Sequence, residues 1–256
     1  MSGRAVEVIG HAGAAGFFPH NSRDSLLKAI ELGVDRIEVD IITALGDVII
    51  LSHDANIVLD GIPSDLREVP LEQVRVVLTG TLTLHEALEI TENRCPLLLD
   101  IKGQHLAEPL IEALSDSPAS QRMSACGTFG RTLKALGDRY PEMDIGLSRG
   151  HALTRIRSGV LRRIAGPMLS LLQVVPLTVA ARWFGAREVM LYHGICTRPL
   201  VFACHATGLR VNAWTVDEPE DIRSVLRSGV DGVISNRPDR VFEILNTEGY
   251  ERIARM

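Results

Sequence analysis

The sequence predicts an α/β protein, a (β/α)8 TIM barrel with a short β-hairpin after its second strand. Short apolar runs rich in Val, Ile and Leu alternate with helical patterns along nearly the whole chain, which is typical of a parallel sheet with crossover helices. Eight of these runs can serve as barrel strands. The length of 256 residues is ordinary for one such barrel, so we expect a single domain over residues 1–256.

The eight predicted strands are spread along the chain. They lie near residues 6–10, 36–42, 97–101, 122–127, 144–148, 187–192, 209–215 and 231–235. A ninth run, Val48 to Leu51, follows the second strand after the short connection Ala44 to Asp47. Parallel strands need a crossover of about a dozen residues, whereas antiparallel strands can be joined by a tight turn. We therefore expect the ninth run to form an antiparallel hairpin outside the eight parallel strands.

The sequence predicts helices between the strands. The segment from Ser22 to Leu32 has an apolar stripe and is followed by Gly33, which is typical of a helix and its C-terminal stop. Thr83 and Glu86 form a capping-box pattern that opens another helix. No linker, low-complexity stretch or second-domain pattern interrupts this alternation.

Composition excludes several classes of protein. A formal net charge of −5 and a pI near 5.9 argue against a nucleic-acid binder. Neither a disulfide scaffold nor a zinc site is indicated, because the four cysteines lack paired spacing; they are Cys95, Cys126, Cys196 and Cys204. No apolar signal-peptide core precedes the first strand, so we expect a cytoplasmic protein. The uncharged run 164–181 contains prolines and is shorter than the roughly 20 apolar residues of a membrane span.

Charged residues alternate with apolar ones at the ends of two predicted strands. Glu38 and Asp40 end the second strand, and Asp100 and Lys102 end the third. Residues i and i+2 of a strand point to the same face. Three carboxylates and a lysine in strands apolar enough to be buried require neutralisation by a cation and an anion. The pattern predicts a metal site that handles a phosphate.

Two histidines fall on the same predicted rim of the barrel. His11 closes the first strand, and His53 ends the hairpin after the second. One can act as base or nucleophile and the other as acid to a leaving alkoxide.

Oxygen ligands without clustered thiolates favour one Mg²⁺ or Ca²⁺ ion over zinc. The alternatives are ordinary core histidines, salt bridges of Glu38 and Asp40 with arginines, and a Lys102 that merely pairs with Asp40.

Seven short motifs carry a resemblance to a known family. They are His11-Ala12-Gly13, Pro19-His20-Asn21-Ser22, Ile37-Glu38-Val39-Asp40, Ser52-His53-Asp54, Leu99-Asp100-Ile101-Lys102, Ala213-Trp214-Thr215-Val216 and Gly232-Val233-Ile234-Ser235-Asn236-Arg237-Pro238. Each is weak alone, but their order and spacing are specific together. Over nearly its full length the chain resembles the glycerophosphodiester phosphodiesterases.

The resemblance implies a metal-dependent hydrolase in a barrel, which cleaves glycerophosphodiesters to sn-glycerol 3-phosphate and an alcohol. Carried over by position, the metal ligands are Glu38, Asp40 and Asp100, the catalytic histidines are His11 and His53, and the phosphate-binding lysine is Lys102. Trp214 matches the tryptophan that lines the family's pocket, although core packing alone can also explain a tryptophan there. One divalent cation is the implied cofactor.

Three positions depart from the family's usual pattern. An arginine that contacts the phosphate is usual where Ala12 stands, and a glutamate is usual at His20. A glutamate is also usual at Asp100, whose shorter side chain can still bind a metal. Loss of an arginine–phosphate contact costs a few kcal/mol of transition-state binding, unless Arg149 or Arg198 replaces it.

These departures leave three functional hypotheses. Ala12, Asp100 and Asn236 look more like the related sphingomyelinase D and lysophospholipase D branch, whereas His53-Asp54 looks like the glycerophosphodiesterases proper. The substrate is therefore a small glycerophosphodiester or, alternatively, a lysolipid. The third hypothesis is a catalytically weak barrel that binds phosphodiesters, motivated by the residues at positions 12 and 20. These motifs do not determine the headgroup of the substrate, the choice between Mg²⁺ and Ca²⁺, the release of a cyclic or a hydrolysed product, or the oligomeric state.

A basic and then apolar segment lies between the fifth and sixth predicted strands. It carries Arg149, Arg155, Arg157, Arg162 and Arg163 before the uncharged run that begins at Ile164. Such a segment on the catalytic rim can dock at an anionic membrane surface, which predicts peripheral membrane contact through residues 155–184. An ordinary barrel helix with a solvated basic edge is the alternative.

Overall fold

Eight parallel strands close into a barrel in the computed structural model, which describes residues 5–92, 94–115, 123–150 and 159–252, with side chains in the last range described from Leu172 onward. The barrel strands are β1 (Ala5–Gly10), β2 (Arg36–Thr43), β6 (Leu97–Ile101), β7 (Met123–Gly127), β8 (Asp144–Arg149), β9 (Glu188–Tyr192), β10 (Arg210–Trp214) and β11 (Gly232–Ser235). Closure occurs because β1 pairs in parallel with both β2 and β11. The predicted (β/α)8 barrel is confirmed, and each predicted strand end lies within one residue of the observed one.

Four further strands of the described residues lie outside the barrel wall. They are β3 (Ile49–Leu51), β4 (Asn56–Leu59), β5 (Ile62–Asp65) and β12 (Glu251–Arg252). Strand β3 is antiparallel to β2, which confirms the predicted hairpin. Strands β4 and β5 form a second, separate hairpin that the sequence analysis did not predict, because Val58 and Ile62 expose their side chains and give no clear alternation.

Helices connect the strands around the outside of the barrel. The described helices are α1 (Arg23–Leu32), α2 (Leu71–Val77), α3 (Leu84–Thr91), α4 (Ala107–Leu114), α5 (Gly130–Arg139), α6 (Gly159–Phe184), α7 (Arg198–Ala206), α8 (Pro219–Ser228) and α9 (Pro238–Glu248). Short 3₁₀ turns occupy Leu66–Glu68, Gln104–Leu106 and His193–Ile195. Helix α6 spans 26 residues, whereas the other helices have 7 to 11.

Helix ends follow the local sequence signals. Ser22 caps α1 by accepting a hydrogen bond from the backbone N–H of Ser25, and Gly33 ends the helix in the left-handed region at φ 80°. A residue with a Cβ is disfavoured at that angle. Thr83 and Glu86 form the predicted capping box at the start of α3. These caps fix where the chain leaves each strand and enters the next helix.

The barrel interior is layered along its axis. At the N-terminal ends of the strands, Arg36 is buried and pairs with Glu7 and Glu188, 2.6 Å and 2.9 Å away. An apolar layer follows, built from Ile9, Leu98, Cys126, Met190 and Ile234. The polar side chains at the C-terminal ends of the strands lie above this layer.

The main apolar core lies between the barrel wall and the helices, where it includes the outward-facing Val39, Leu99 and Val189. All four cysteines are buried, and none of them forms a disulfide. Among the described residues, none of the helices combines the length and apolarity that a transmembrane crossing requires.

Candidate active site

The predicted polar residues meet at the C-terminal ends of the barrel strands. Asp40 of β2 lies beside Asp100 of β6 in the register of the two parallel strands. One oxygen each of Glu38, Asp40 and Asp100 lies within 4.8 Å of the other two. We call these three residues the acidic trio. Two of them, Glu38 and Asp40, are almost completely buried.

Three hydrogen bonds with the first strand-to-helix loop orient Glu38 and Asp40. The N–H of Ala12 donates to Oε2 of Glu38 over 2.9 Å. The side chain of Asn21 donates from Nδ2 to Oδ2 of Asp40 over 2.9 Å, and its Oδ1 accepts from the backbone N–H of Asp40. The first strand-to-helix loop therefore holds both carboxylates of β2. Gly13 makes this close approach feasible, since its φ is 88° and a Cβ there would lie 2.6 Å from the backbone carbon of Ser25.

Lys102 lies between two members of the acidic trio. Its Nζ is 2.7 Å from Oδ1 of Asp40 and 2.5 Å from Oδ2 of Asp100. Burial alone would lower the pKa of Lys102, but the charges of the nearby carboxylates raise it above its ordinary value. The lysine is therefore charged, and it supplies one positive charge against three carboxyl groups.

The pKa values of the two carboxyl groups on β2 are shifted in opposite directions. Burial, together with the charges of Asp40 and Asp100, raises the pKa of Glu38 well above its ordinary value. Burial alone would also raise the pKa of Asp40, but the charge of Lys102 and the hydrogen bonds from Lys102 and Asn21 lower it. One ammonium does not balance the acidic trio. A hard divalent cation fits this set of oxygen donors and its excess negative charge.

The alternative of arginine salt bridges finds no support in the described side chains. Arg36, which is also inside the barrel, pairs with Glu7 and Glu188. The only basic side chains paired with the acidic trio in the described part are Lys102 and His11, the latter at 3.8 Å between Nε2 and Oε2 of Glu38. Lys102 does pair with Asp40, as the alternative reading held, but it contacts Asp100 as well.

His11 is held by a relay from the last barrel strand. Its Nδ1 is 2.7 Å from Oδ1 of Asn236. Nδ2 of Asn236 donates to Oδ2 of Asp217 over 2.7 Å, and the backbone N–H of Asn236 donates to Oδ1 of Asp217. Because the amide Nδ2 is used as a donor to the carboxylate, Oδ1 accepts the proton of His11 Nδ1. Nε2 of His11 is then the nitrogen with a free lone pair, and it faces Glu38.

A pocket of about 530 Å³ opens over these groups. The predicted site residues among those that line it are His11, His53, Glu38, Asp100, Lys102 and Trp214. Trp214 packs edge-on against Tyr192, with ring centroids 5.8 Å apart. The pocket also brings in residues that the sequence analysis did not assign to the site, among them Asp54, Ser148 and Thr215.

The two histidines differ in their surroundings. His53 is 66% exposed at its side chain, and its Nδ1 is 2.9 Å from Oδ1 of Asp54. Paired in this way, His53 reaches the pocket from the hairpin side, whereas His11 lies deeper at the end of β1. A third histidine, His20, lies edge-on to His11 with centroids 5.7 Å apart. Burial and then the charge of His11 lower the pKa of His20.

The structure also locates the departures from the usual motif. Ala12 is fully buried and adopts a positive φ of 45°. Neither arginine considered as a replacement lines the pocket: Arg149 donates to the backbone carbonyl of Ser148, and Arg198 is exposed at the start of α7. His20 does line the pocket. The missing guanidinium is therefore not replaced by either of these two side chains.

Asp217 is the residue of this network that sequence reasoning did not find. It directly follows the motif Ala213-Trp214-Thr215-Val216, and its carboxylate accepts hydrogen bonds from both Ser235 and Asn236. A charged residue just after a strand end was the available signal. Its partner on the next strand is visible only in the folded barrel.

The chain was compared with known proteins. A sequence profile described as the Glycerophosphoryl diester phosphodiesterase family matches residues 11–126 and 159–240. A glycerophosphodiester phosphodiesterase of Caldanaerobacter subterraneus is 23% identical over 94% of this chain and 98% of its own length.

Solved structures of similar fold cover almost the whole chain. A glycerophosphodiester phosphodiesterase of Parabacteroides distasonis superposes with a TM-score of 0.78 at 18% identity, over 97% of this chain and 100% of its own. An Oleispira antarctica phosphodiesterase, solved with the product sn-glycerol-3-phosphate, superposes with a TM-score of 0.74 at 19% identity, over 94% of this chain and 97% of its own.

Proposed function

From the premise that this chain belongs to the glycerophosphoryl diester phosphodiesterase family, we propose that it hydrolyses glycerophosphodiesters to sn-glycerol 3-phosphate and an alcohol with one bound divalent cation, Mg²⁺ or Ca²⁺. The observation that carries the proposal is the acidic trio, clustered within 4.8 Å beside Lys102. Glu38, Asp100 and Lys102 line the pocket, and Asp40 lies behind them against Lys102. Matched family motifs span most of the barrel, and the product-bound relative supports this product class.

Each charged group then has a task in the proposed reaction. A cation held by Glu38, Asp40 and Asp100 would act as a Lewis acid that neutralises charge on the phosphoryl oxygens. Lys102 adds a second positive contact to the same phosphate, as a point charge. Its ammonium carries three donors, so two carboxylate contacts leave one for a phosphate oxygen.

The histidines divide the proton transfers. His11 accepts a proton at Nε2, because its Nδ1–H is engaged by Asn236. His53 protonates the leaving alkoxide from the open side of the pocket, with Asp54 next to its Nδ1. The attacking group is a water or a neighbouring hydroxyl of the substrate, and both routes use these same residues. In this mechanism His11 is the general base and His53 is the general acid.

The test of this proposal is turnover with and without chelator. We expect purified protein to release sn-glycerol 3-phosphate from glycerophosphocholine, to lose that activity after complete metal removal, and to regain it with Mg²⁺ or Ca²⁺. An Asp100→Asn variant removes one ligand charge and should shift the metal requirement to higher concentration. Turnover that survives complete metal removal would contradict the proposed mechanism.

A lysolipid is the second candidate substrate. Exposed Phe17 and Phe18 in the first strand-to-helix loop offer an apolar surface for an acyl chain. Comparing glycerophosphocholine with lysophosphatidylcholine separates the two candidates, since clear preference for the water-soluble diester removes the lipid one. The binding-only hypothesis is tested at the same time: turnover by the parent protein excludes it, whereas activity that appears only in Ala12→Arg supports it. A cytoplasmic location remains our prediction.

A further inference from the structure

The segment 145–187 has a charge composition unlike the rest of the chain. It contains seven arginines and no aspartate or glutamate, although the whole chain has a net charge of −5. Two of the arginines at its start, Arg155 and Arg157, lie outside the described residues, and the side chains of Arg162 and Arg163 do too. A basic, acid-free segment is attracted to an anionic surface.

Helix α6, which occupies most of this segment, is much longer than the barrel needs. Its 26 residues correspond to about 39 Å, whereas a ten-residue helix such as α5 spans about 15 Å. Its described contacts with the core come from Leu177 and Ala181, which are fully buried, and from partly buried neighbours such as Val174 and Phe184. One face of the C-terminal half therefore packs on the barrel.

The opposite face of this half is apolar and exposed. Leu172, Val175, Val179 and Trp183 recur at helical spacing and are 61% to 74% exposed. We call these four residues the outer stripe. A barrel helix with a solvated edge presents charged residues to water, but only Arg182 is charged between residues 172 and 184. The ordinary-helix alternative does not account for this face.

We propose that the outer stripe of α6 docks on an anionic lipid bilayer, with the exposed Arg182 beside Trp183 engaging a lipid phosphate group. An apolar stripe with tryptophan, flanked by arginines and lacking acidic residues, is the composition of helices that lie in the membrane interface. Arginine pairs with phosphate through a planar fork of donors. The acidic remainder of the chain disfavours contact with the same bilayer, so charge orients the protein with α6 toward the lipid.

The outer stripe lies away from the catalytic rim. It occupies the C-terminal half of α6, which ends at Phe184, and β9 then starts at Glu188, at the end of the barrel opposite the acidic trio. Docking through the outer stripe is therefore independent of the proposed phosphodiesterase function.

The experiment is co-sedimentation of the full chain with vesicles, measured without substrate. We expect binding to phosphatidylglycerol vesicles, binding to phosphatidylcholine vesicles weaker by about tenfold or more, and loss of binding as salt rises. The double variant Val175→Ser/Val179→Ser should reduce binding to phosphatidylglycerol by roughly tenfold. Arg182→Glu should weaken it at low salt and leave the outer stripe intact.

A matched control tests whether the effect is local. Val58 and Val76 are 59% and 79% exposed elsewhere on the surface, so Val58→Ser/Val76→Ser removes the same chemical groups and should leave binding unchanged. Absence of binding by the parent protein, or equal binding by both double variants, overturns the proposal. If Val175→Ser/Val179→Ser does not fold, Arg182→Glu and the lipid and salt series decide the question.

A second copy of this chain is the competing occupant. Sedimentation equilibrium of the parent protein and of Val175→Ser/Val179→Ser distinguishes it. A dimer that dissociates in the variant, without vesicle binding by the parent, assigns the outer stripe to self-association and overturns membrane docking. Vesicle binding is measured without turnover, so it can be interpreted even if the proposed phosphodiesterase function is wrong.

Discussion

Oδ1 of Asn236 lies 2.7 Å from Nδ1 of His11, across 225 positions of sequence. The contact exists because β1 and β11 are neighbours in the closed barrel. Asp217 fixes the amide by accepting from both the side chain and the backbone N–H of Asn236. The three residues together determine which nitrogen of His11 carries the proton.

Asn236→Ala should therefore lower kcat with little change in KM. Without Oδ1, His11 loses the acceptor that holds its proton on Nδ1, and its Nε2 is no longer reserved as a base. We expect a loss of roughly tenfold to a hundredfold in kcat and a change in the pH profile, both measured by steady-state kinetics. Exposed Asn246 on α9 gives the matched control Asn246→Ala. An unchanged kcat in Asn236→Ala would remove the relay from the mechanism.

Much of this arrangement was predictable from sequence because strand geometry is local. Alternation of charged and apolar residues determines the face on which Glu38, Asp40 and Asp100 lie, and parallel strands bring their C-terminal ends to one rim. The relay to His11 was not predictable, since it joins residues from opposite ends of the chain. The β4–β5 hairpin and the length of α6 were not predicted either. Exposed apolar residues blur the alternation of the hairpin, and a helix that is apolar on two faces shows no contrast between an apolar and a charged face.

Lys102→Met should separate stability from catalysis. The substitution leaves the buried carboxylate of Asp40 and the partly buried carboxylate of Asp100 without their ammonium partner, so the free energy of unfolding without metal should fall by about 3 kcal/mol. A divalent ion should then bind more tightly than to the parent and restore stability, while turnover remains low because the phosphate contact is missing. Urea denaturation with chelator or with Mg²⁺ measures the loss of stability and its restoration by the ion. Steady-state kinetics measure the turnover.

The control for this prediction is Lys28→Met, which removes a lysine from a surface pair with Glu31 on α1. We expect the free energy of unfolding to change by less than about 1 kcal/mol, with no dependence on metal. Equal metal affinity in Lys102→Met and the parent would show that the ammonium does not compete with the ion for these carboxylates.

The loss of folding stability at acid pH should depend on the ion pairs of Arg36 at the N-terminal ends of the barrel strands. Burial alone would raise the pKa of Glu188, but the charge of Arg36 and its hydrogen bonds hold it below the ordinary value. A depressed folded-state pKa contributes stability above the unfolded-state pKa of about 4.5, and that stability is lost as pH falls through the folded-state pKa. We expect Glu188→Gln to cost about 3 kcal/mol at pH 7.

The difference between Glu188→Gln and the parent should then shrink as pH falls below about 4.5, since the parent loses the same charge by protonation. Urea denaturation over a pH series measures it. Glu248→Gln, which breaks the surface pair with Arg223, should cost less than about 1 kcal/mol at every pH. A constant penalty for Glu188→Gln across the series would mean that its charge does not supply this stability.

Trp214 should favour substrates with a cationic headgroup. It lines the pocket and is held edge-on by Tyr192, and a tryptophan face attracts a quaternary ammonium by about 1–2 kcal/mol in a desolvated site. Trp214→Leu should therefore raise KM for glycerophosphocholine by roughly five- to thirtyfold, with a smaller change for glycerophosphoglycerol, which has no cation. Phe202→Leu at an exposed position of α7 is the matched control. Equal changes in KM for both substrates would assign Trp214 to packing, because loss of apolar surface alone does not distinguish a choline from a glycerol headgroup.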